Sequence, residues 1–297
     1  MNIVVAGASG LIGKALVESL IASDHNVKTL VRRKPLNDSE IFWEPQSGVI
    51  ESDKLIDVDT VINLGGENIA SGRWTKSKKK RILDSRVKST TLLCETLVKL
   101  DKLPSTLLSA SADGYYGDCN QNEVTEASPP GDSFIADVCR QWEEATNVCK
   151  EAGIRVVNCR FGIVLTPQGG ALKKMLPAFK FGVGGKLGSG KQMMNWISMH
   201  DCIRAMLYLI ENENIKNAVN IIAPEAITNK EFTKAIAKYL KRPALFPVPS
   251  FVIKILLGEL GSELLKERCK IIPEKLINSG FQFKYPDINS ALNEILK

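Results

Sequence analysis

Three glycines near the amino terminus have the spacing of a turn that binds a phosphate group. The chain reads G-x-x-G-x-x-G from Gly7 to Gly13, directly after the apolar, β-branched run Asn2–Ala6, which predicts a buried strand. The apolar spacing from Leu11 to Ala22 predicts a helix. Glycines between a strand and a helix permit a tight turn, close approach of the backbone to a pyrophosphate and close helix packing. The pattern therefore predicts a dinucleotide whose pyrophosphate binds the free N–H groups of the helix; the alternative is a turn without a ligand.

Basic residues follow the second predicted strand, at the position that decides which dinucleotide binds. Proteins that bind NAD usually have an acidic residue there, which holds the ribose 2′-hydroxyl. This chain instead has Arg32, Arg33 and Lys34 after the run Val27–Val31. A guanidinium group at this place pairs with a 2′-phosphate, so the sequence favours NADP(H) over NAD. The alternative is that these residues are surface charges in the loop before Pro35.

Length and composition are those of an ordinary soluble globular protein. The 297 residues are 44% hydrophobic and 24% charged, which fits one large domain or two coupled domains and excludes coiled-coil, collagen-like and disordered chains. The 39 Lys and Arg against 33 Asp and Glu give a net charge of +6, a mild excess that we take to be spread along the chain. This excess suits an anionic small ligand and is too weak to indicate nucleic acid. The densest basic run, Lys76 to Arg81, predicts a solvated helix face.

Cysteine and histidine content argues against a metal site and against a histidine-based catalytic triad. The seven Cys include no C-x-x-C pair, and we expect free thiols; the two His residues form no cluster with them. The first residues lack the basic and long apolar regions of a signal peptide, and no uncharged apolar window of about 18 residues occurs. We therefore expect a cytoplasmic protein with no metal, no membrane partner and no nucleic-acid partner.

Strands and helices alternate along the first half of the chain. After the elements named above, the sequence predicts strands at Thr60–Leu64, Ser105–Ala110 and Arg155–Phe161 and helices at Ser77–Leu100 and Phe134–Ala152. This alternation predicts an α/β fold with a Rossmann-type doubly wound parallel sheet, covered by helices on both faces. We place this domain at residues 1–165, with a strand at 218–223 returning to the sheet. Residues 166–297 form a smaller mixed, largely helical C-terminal part on the substrate side.

Motifs along the whole chain resemble those of an atypical extended short-chain dehydrogenase/reductase. More narrowly, the chain is similar to the group of the NAD(P)-dependent epimerase/dehydratase family that ends in a domain of unknown function. The motifs include the glycine turn, Asn63-Leu64-Gly65-Gly66-Glu67, Arg73-Trp74, Ser85-Arg86, Ser109-Ala110-Ser111, Tyr115-Tyr116-Gly117, Arg160–Leu165, Gly188-Ser189-Gly190 and Gly280-Phe281. The resemblance implies a Rossmann fold, an NADP(H) cofactor and a family-specific C-terminal domain over 248–297. It implies no particular substrate.

The resemblance also implies which residues contact the cofactor. Those around the pyrophosphate would be Gly7, Ser9, Gly10, Leu11, Ile12 and Gly13, and those at the 2′-phosphate would be Arg32 and Arg33. Those near the adenosine ribose would be Leu64 and Gly65, and those reaching the cofactor from the long helix would be Arg86 and Arg81. Those beside the nicotinamide and its ribose would be Ser109, Ala110, Arg160 and Gly162. All these positions belong to the carboxyl edge of a parallel sheet, where open α/β folds bind ligands.

The chain departs from the superfamily at the usual catalytic pair. Ordinary members use Tyr-x-x-x-Lys, in which the Lys lowers the pKa of the Tyr and the Tyr relays a proton during hydride transfer. That motif is expected near the segment Phe134 to Arg140, which contains neither residue type. Ser111 is a candidate for holding the substrate oxygen, and Tyr115 or Tyr116 for the proton relay; alternatively the tyrosines only pack or bind substrate. Further candidate bases in the same loop are Asp113, Glu123 and Glu126.

The glycine-rich stretch from Gly182 to Trp196 is the expected substrate wall, because glycine backbone permits close approach or lid motion. Asn195 and Trp196 are expected to face the pocket, with a core position as the alternative for Trp196. Asp201 is expected to cap the following helix or to anchor the glycine-rich stretch.

Two functions are compatible with these features. One is an NADP(H)-dependent oxidoreductase or epimerase acting on a small carbonyl or sugar-nucleotide-like substrate. The other is a non-catalytic NADP(H)-binding regulatory or sensor protein, which the missing Tyr/Lys pair would suit. In both cases the expected partner is a small molecule, and the resemblance implies a possible homodimer through helices on the outer face of the sheet.

Overall fold

The computed structural model describes residues 1–119, 122–266 and 269–297. The strands among these residues are β1 Asn2–Ala6, β2 Asn26–Val31, β3 Glu40–Glu44, β4 Val49–Ile50, β5 Thr60–Asn63, β6 Thr106–Ala112, β7 Glu123–Val124, β8 Arg155–Phe161, β9 Ile163–Leu165, β10 Met193–Met194, β11 Trp196–Ser198, β12 Asn217–Ile221, β13 Ile227–Thr228 and β14 Lys270–Ile271. The α-helices are α1 Leu11–Ala22, α2 Lys76–Leu97, α3 Phe134–Glu144, α4 Asn147–Glu151, α5 Gly170–Lys180, α6 Met199–Glu211, α7 Asn229–Leu240, α8 Ser250–Leu257, α9 Glu259–Leu264, α10 Glu274–Asn278 and α11 Ile288–Ile295.

Eight strands form one sheet, in the order β12-β8-β6-β5-β1-β2-β3-β4. Every neighbouring pair is parallel except β3 and β4. The chain runs outward from β1 through β2 and β3, then crosses back to β5 and continues in the other direction. This arrangement confirms the α/β fold, and its reversal of strand order lies between β1 and β5. A crevice opens at the carboxyl ends of the strands at such a reversal.

The sheet is buried on both faces because its strands are rich in valine, isoleucine and leucine. In β1, Ile3 and Val5 belong to one core, together with residues of α1 and α6. Val4 and Ala6 point to the opposite face and belong to a second core with residues of α2 and α4. Successive side chains of a strand alternate between its two faces, so this one strand serves both cores. In the described part of the chain, no helix combines the length and the apolar character needed to cross a membrane.

Two local sequence expectations differ from the structure. The single helix expected at Phe134–Ala152 is two helices, α3 and α4, and that expectation was wrong. The hydroxyl of Thr146, between them, donates to the carbonyl of Glu143 at 2.6 Å and tightens the turn. Strands β3 and β4 lie where none was predicted; β3 is parallel to β2 and extends the sheet beyond it.

The expectation that the cysteines are all free thiols was wrong. Cys119 and Cys269 form a disulfide across 150 residues of chain, a separation at which sequence spacing carries no signal. The bridge joins the loop after the Tyr115-Tyr116 pair to the start of β14, which pairs with β7. The free and buried cysteines are Cys94, Cys139, Cys149, Cys159 and Cys202.

Asp201 connects helix α6 to the carboxyl-terminal tail. Its buried carboxylate accepts hydrogen bonds from the backbone N–H groups of Lys284 at 3.0 Å and Tyr285 at 2.8 Å, and it pairs with Arg204 at 3.0 Å. The cap of α6 is the side chain of Ser198, which accepts from the N–H of Asp201. The expectation that Asp201 caps this helix or anchors the glycine-rich stretch was therefore wrong, because its carboxylate serves the tail.

Replacing Asp201 by Ala should lower the free energy of unfolding by about 2–4 kcal/mol, because two buried N–H groups lose their acceptor. Urea unfolding of the purified protein measures this change. Asp101→Ala is the matched control, since Asp101 is exposed. A loss below about 1 kcal/mol for Asp201→Ala would contradict the role given to this carboxylate.

Candidate cofactor and substrate site

A cleft of about 400 Å³ opens at the carboxyl ends of β1, β5, β6 and β8, where the strand order reverses. Its lining comes from the glycine turn, two strand ends, α2, α3 and the segment 161–171: Gly7, Gly10, Leu11, Ile12, Gly13, Leu64, Arg86, Ala110, Ser111, Ala112, Trp142, Phe161, Ile163, Val164, Gly170 and Ala171. A cavity of about 550 Å³ lies at the opposite edge of the sheet, around Ser105 and Asn217. Open parallel sheets bind ligands at the carboxyl edge, so the first cleft is the candidate site.

The glycine turn leaves no room for side chains. Gly7 has a φ of 80°, and a Cβ there would lie 2.7 Å from the backbone carbonyl carbon of Leu64. A Cβ at Gly13 would overlap the carbonyl oxygen of Gly7 and lie 2.9 Å from Cα of Ala8. Helix α1 begins after Gly10 without a side-chain cap and without an acidic residue in its first turn. Its first N–H groups therefore lack a side-chain partner, as a helix terminus that holds an anion requires.

The two arginines after β2 differ in their partners. Arg33 forms a bidentate ion pair with Glu40, with Nη2–Oε1 and Nη1–Oε2 distances of 2.5 and 2.7 Å. Arg32 is exposed and makes no hydrogen bond or ion pair with any residue that the structure describes. Arg32 therefore has a guanidinium group available to a 2′-phosphate. Arg33 could bind such a phosphate only if it broke its ion pair with Glu40 or divided its hydrogen bonds between the two anions.

Arg86 brings a positive charge to the wall of the cleft. Its Cζ lies 5.0 Å from the ring centroid of Trp142, and a Cβ at Gly66 would be 3.1 Å from it. Nη1 donates to the carbonyls of Glu67 and Ile82, both at 3.1 Å. Burial lowers the pKa of Arg86, and no carboxylate in the described ranges forms an ion pair with it. A half-buried cation without a carboxylate partner is suited to an anionic ligand.

Ser111 contributes a hydroxyl group to the wall of the cleft, and Glu143 on the side away from the cleft orients that hydroxyl. Its Oγ donates to Oε1 of Glu143 at 2.7 Å, and Glu143 pairs with Arg160 at 2.8 and 2.9 Å. The Arg160 and Glu143 side chains are only 4% and 12% exposed. Burial lowers the pKa of Arg160, but the hydrogen bond and charge of Glu143 outweigh it and raise that pKa above its usual value. Because the Ser111 hydrogen is directed to Glu143, the lone pairs of Ser111 are left for a ligand hydroxyl.

The two tyrosines lie behind the cleft, around Arg160. The Tyr115 ring centroid is 3.4 Å from Cζ of Arg160. The hydroxyl of the buried Tyr116 donates to Asn220 at 2.7 Å and accepts from Arg160 at 2.8 Å. Burial raises the pKa of Tyr116 to about 12, against the opposing effects of Arg160 and Asn220. The Tyr116 hydroxyl is thus bonded within the protein and does not line the cleft, and its role as proton relay stays a prediction.

Several residues expected at the cofactor lie outside the cleft lining. Arg81 is exposed on α2 and donates to Ser77, and Ser109 is buried within β6. Arg160 is behind Ser111, and a Cβ at Gly162 would lie 2.6 Å from the carbonyl oxygen of Asn195. None of these four residues lines the cleft, and their contact with the cofactor stays a prediction. Ser9 and Gly65 were also predicted to contact the cofactor. Each is next in the chain to a lining residue but does not itself line the cleft.

The expected substrate wall packs elsewhere. Asn195 donates to the carbonyl of Cys269 at 3.3 Å and accepts from the N–H of Ile271 at 3.4 Å, which ties it to β14. Trp196 is fully buried among residues of α5, α7 and α11, so its alternative position in the core is correct. The glycine-rich stretch lies against the segment 243–250, where Val248 donates to the carbonyl of Lys186 at 2.9 Å. Asn195 and Trp196 as pocket residues were therefore wrong.

Glu143 was not among the site residues predicted from the sequence. The available signal was helical spacing: Ala136, Cys139 and Glu143 recur at three and four residues, which places the carboxylate near the buried face of α3. A carboxylate next to an apolar face requires a partner. The partner, Arg160, comes from a strand 17 residues later, and spacing alone does not reveal such a contact.

Comparison with known proteins gives the family. The chain matches the NAD dependent epimerase/dehydratase family over residues 3–221 and a Domain of unknown function (DUF1731) over 248–295. It is 42% identical over 290 residues to epimerase family protein Mb2239 of Mycobacterium bovis, covering 98% of this chain and 96% of that protein. The chain therefore belongs to the NAD dependent epimerase/dehydratase family, as the resemblance of its motifs implied.

Solved structures agree with this assignment. Human epimerase family protein SDR39U1 (isoform 2), solved with NADPH, superposes with a TM-score of 0.90 and 32% identity, covering 99% of both chains. The nucleoside-diphosphate sugar epimerase from Corynebacterium glutamicum superposes with a TM-score of 0.82 and 32% identity, covering 100% of this chain and 58% of that one. The family and these relatives support a nicotinamide dinucleotide as the cofactor of this fold.

Replacing Glu143 by Gln should lower the free energy of unfolding by roughly 3–5 kcal/mol, because it leaves the buried Arg160 charge without its counter-charge. The neighbouring Glu144→Gln is the control, since Glu144 pairs with Arg140 on the exposed face of the same helix. That change should cost less than about 1 kcal/mol. Urea unfolding of both variants decides the matter: equal losses would contradict the buried ion pair.

Proposed function

We propose that the chain binds NADP(H) in this cleft and acts as an NADP(H)-dependent oxidoreductase or epimerase on a small carbonyl or sugar-nucleotide-like substrate. The observation that carries the proposal is that one cleft contains both parts of a site. At one end is the glycine turn, where Gly7 and Gly13 leave no room for a Cβ, and at the other is Ser111, whose hydroxyl is oriented by Glu143. When bound, the nicotinamide supplies the hydride donor or acceptor. The residues of this chain would bind the cofactor, orient the substrate and exchange the substrate proton.

The dinucleotide fits the residues present. The uncapped N-terminus of α1 would hold the pyrophosphate, and Arg86 would add a positive charge beside it. Arg32, free of protein partners in the described chain, would bind the 2′-phosphate that distinguishes NADP(H) from NAD. The NADPH named with the human relative supports this choice of cofactor. The sugar nucleotide class is supported by the activity named for the Corynebacterium glutamicum neighbour.

Ser111 and Glu143 offer a proton path that does not need the missing Tyr/Lys pair. A substrate hydroxyl would donate its hydrogen bond to Oγ of Ser111, whose own proton already points to Oε1 of Glu143. As hydride leaves the substrate carbon, the substrate proton would move to Ser111 and the Ser111 proton to the carboxylate. The guanidinium of Arg160 donates to both oxygens of this carboxylate, at 2.8 and 2.9 Å, and holds it in place behind Ser111. The hydrogen-bond direction therefore fits oxidation of an alcohol.

Three arginine variants should separate the contacts made with the 2′-phosphate from those made with the part that both dinucleotides share. Arg32→Ala should weaken NADPH binding at least about tenfold and leave NADH binding unchanged, because only NADPH has the 2′-phosphate. Arg33→Ala should have the smaller effect, since Arg33 is paired with Glu40. Arg86→Met should weaken both dinucleotides alike, and Lys88→Met on the same helix is its control. Calorimetric titration measures all four; a wild type that binds no dinucleotide would refute the proposal.

Ser111→Ala should lower turnover by about 100-fold or more while NADPH affinity stays within about twofold, because the variant loses only the group that handles the substrate proton. Cofactor absorbance followed across a panel of alcohols, aldehydes and nucleotide sugars measures the rate. Ser105→Ala, at the opposite end of β6, is the control. Full activity in Ser111→Ala would remove Ser111 and Glu143 from the mechanism.

A second candidate is a non-catalytic NADP(H)-binding sensor. One observation favours it: the described residues that line the cleft include no Asp, Glu, His, Lys, Cys or Tyr. In that case the wild type would bind NADPH as tightly as proposed and turn over no substrate of the panel.

A further inference from the structure

A group of large apolar side chains on the C-terminal part is open to solvent. Four of them, Phe181, Leu245, Phe246 and Phe251, are 61–83% exposed, and Ile255 and Leu256 are 63% and 65% exposed. We call these six residues the apolar patch. Helix α8 contributes half of the patch and buries only Ile253. A helix that is apolar on nearly all sides is normally covered, so this exposure indicates a surface that meets an apolar phase or partner.

The two chain segments that carry the patch are paired through their backbones. Val248 donates to the carbonyl of Lys186 and Gly188 donates to the carbonyl of Val248, both at 2.9 Å. A Cβ at Gly182 would lie 3.6 Å from Pro243, which places the loop after α5 beside the segment that leads to α8. Phe251 and Ile255 then follow on one side of α8, four residues apart.

The two sequence segments that carry the patch are rich in basic residues. The segments 169–200 and 232–258 that build it contain ten Lys and Arg and no Asp or Glu. The remainder of the chain has 29 Lys and Arg against 33 Asp and Glu, so the net charge of +6 comes from these two segments. The positive charge is therefore concentrated, and its expected spread along the chain was wrong. The exposed cations nearest the patch include Lys180, Lys241, Arg242 and Lys254.

From these observations we propose that the apolar patch binds the surface of an anionic lipid bilayer. Exposed Phe, Leu and Ile gain by entering the boundary between headgroups and acyl chains, while the surrounding Lys and Arg meet anionic headgroups. A second copy of this chain is disfavoured on this face, because two equally positive patches repel each other. Nucleic acid would meet the positive charge but would not bury the aliphatic side chains. This proposal departs from the sequence-based expectation of no membrane partner. That expectation rested on the lack of an apolar window long enough to span a bilayer, and binding at the surface needs no such window.

The test is co-sedimentation of the full chain with vesicles of phosphatidylcholine alone and of phosphatidylcholine with an equal amount of phosphatidylglycerol. The wild type should bind the anionic vesicles at least about tenfold more tightly than the neutral ones, and added salt should weaken this binding. Phe251→Ser with Ile255→Ser should weaken it by about tenfold or more, through the lost apolar contact. Lys241→Glu with Arg242→Glu should weaken it to a similar extent through charge.

Matched controls lie on the other part of the chain. Leu36→Ser with Ile56→Ser removes two side chains that are 77% and 69% exposed, and Lys99→Glu with Lys102→Glu reverses two exposed charges. Both controls should bind anionic vesicles like the wild type. Circular dichroism and NADPH titration of every variant show that fold and cofactor binding are unchanged, so a failure here is distinct from a failure of the proposed function.

Three results would overturn the proposal. The first is equal binding of the wild type to neutral and anionic vesicles, or no binding to either. The second is unchanged binding in Phe251→Ser with Ile255→Ser, which would leave only non-specific attraction between charges. The third is a concentration-dependent dimer in sedimentation that the serine variant abolishes without any vesicle binding, which would make the patch an interface between copies.

Discussion

The close packing of backbone around Gly7 is the constraint on which the cleft depends. The turn after β1 lies directly against the backbone that leaves β5, and the first turn of α1 lies against the turn itself. Neither contact tolerates a Cβ. Because both positions are glycine, β1 and β5 can end side by side, and helix α1 can begin between their ends. The Gly13 contact also brings α1 close to the sheet, where Leu16 and Leu20 complete its core.

A buried ion pair fixes the far end of the same cleft. Arg160 on β8 and Glu143 on α3 are almost wholly removed from water, and each satisfies the other through two hydrogen bonds. A pair of this kind contributes little net stability, yet loss of one partner is costly, so it acts mainly to specify one arrangement. Here the arrangement includes the direction of the Ser111 hydroxyl and the position of the Tyr115 ring. The structure thus places a hydrogen-bonded network of Ser111, Glu143, Arg160 and Tyr116 behind the strand ends, in a chain without the Tyr/Lys pair that the resemblance led us to look for.

Local sequence signals predicted the sheet and the glycine turn beside its reversal of strand order, because both depend on short segments. The glycine turn follows its own strand and the arginines follow β2, so residue type and spacing were enough to predict a dinucleotide there. The contacts of Arg32 and Arg33 with that dinucleotide stay predictions. The substrate end could not be predicted in this way. Arg160 and Glu143 meet through tertiary packing, Asn195 is bonded to β14 from the last part of the chain, and Trp196 fills a core built by three distant helices. Glycine content between 182 and 196 was misleading for the same reason: these glycines allow the chain to pack on the segment before α8.

The most direct test of the central claim, that the cleft at the β1–β5 reversal holds NADP(H), is a crystal structure of the protein grown with NADPH. We predict that the pyrophosphate lies at the N-terminus of α1, the 2′-phosphate at Arg32, and the nicotinamide beside Ser111. A dinucleotide bound in the cavity around Ser105 and Asn217 would contradict it, as would a nicotinamide directed away from Ser111.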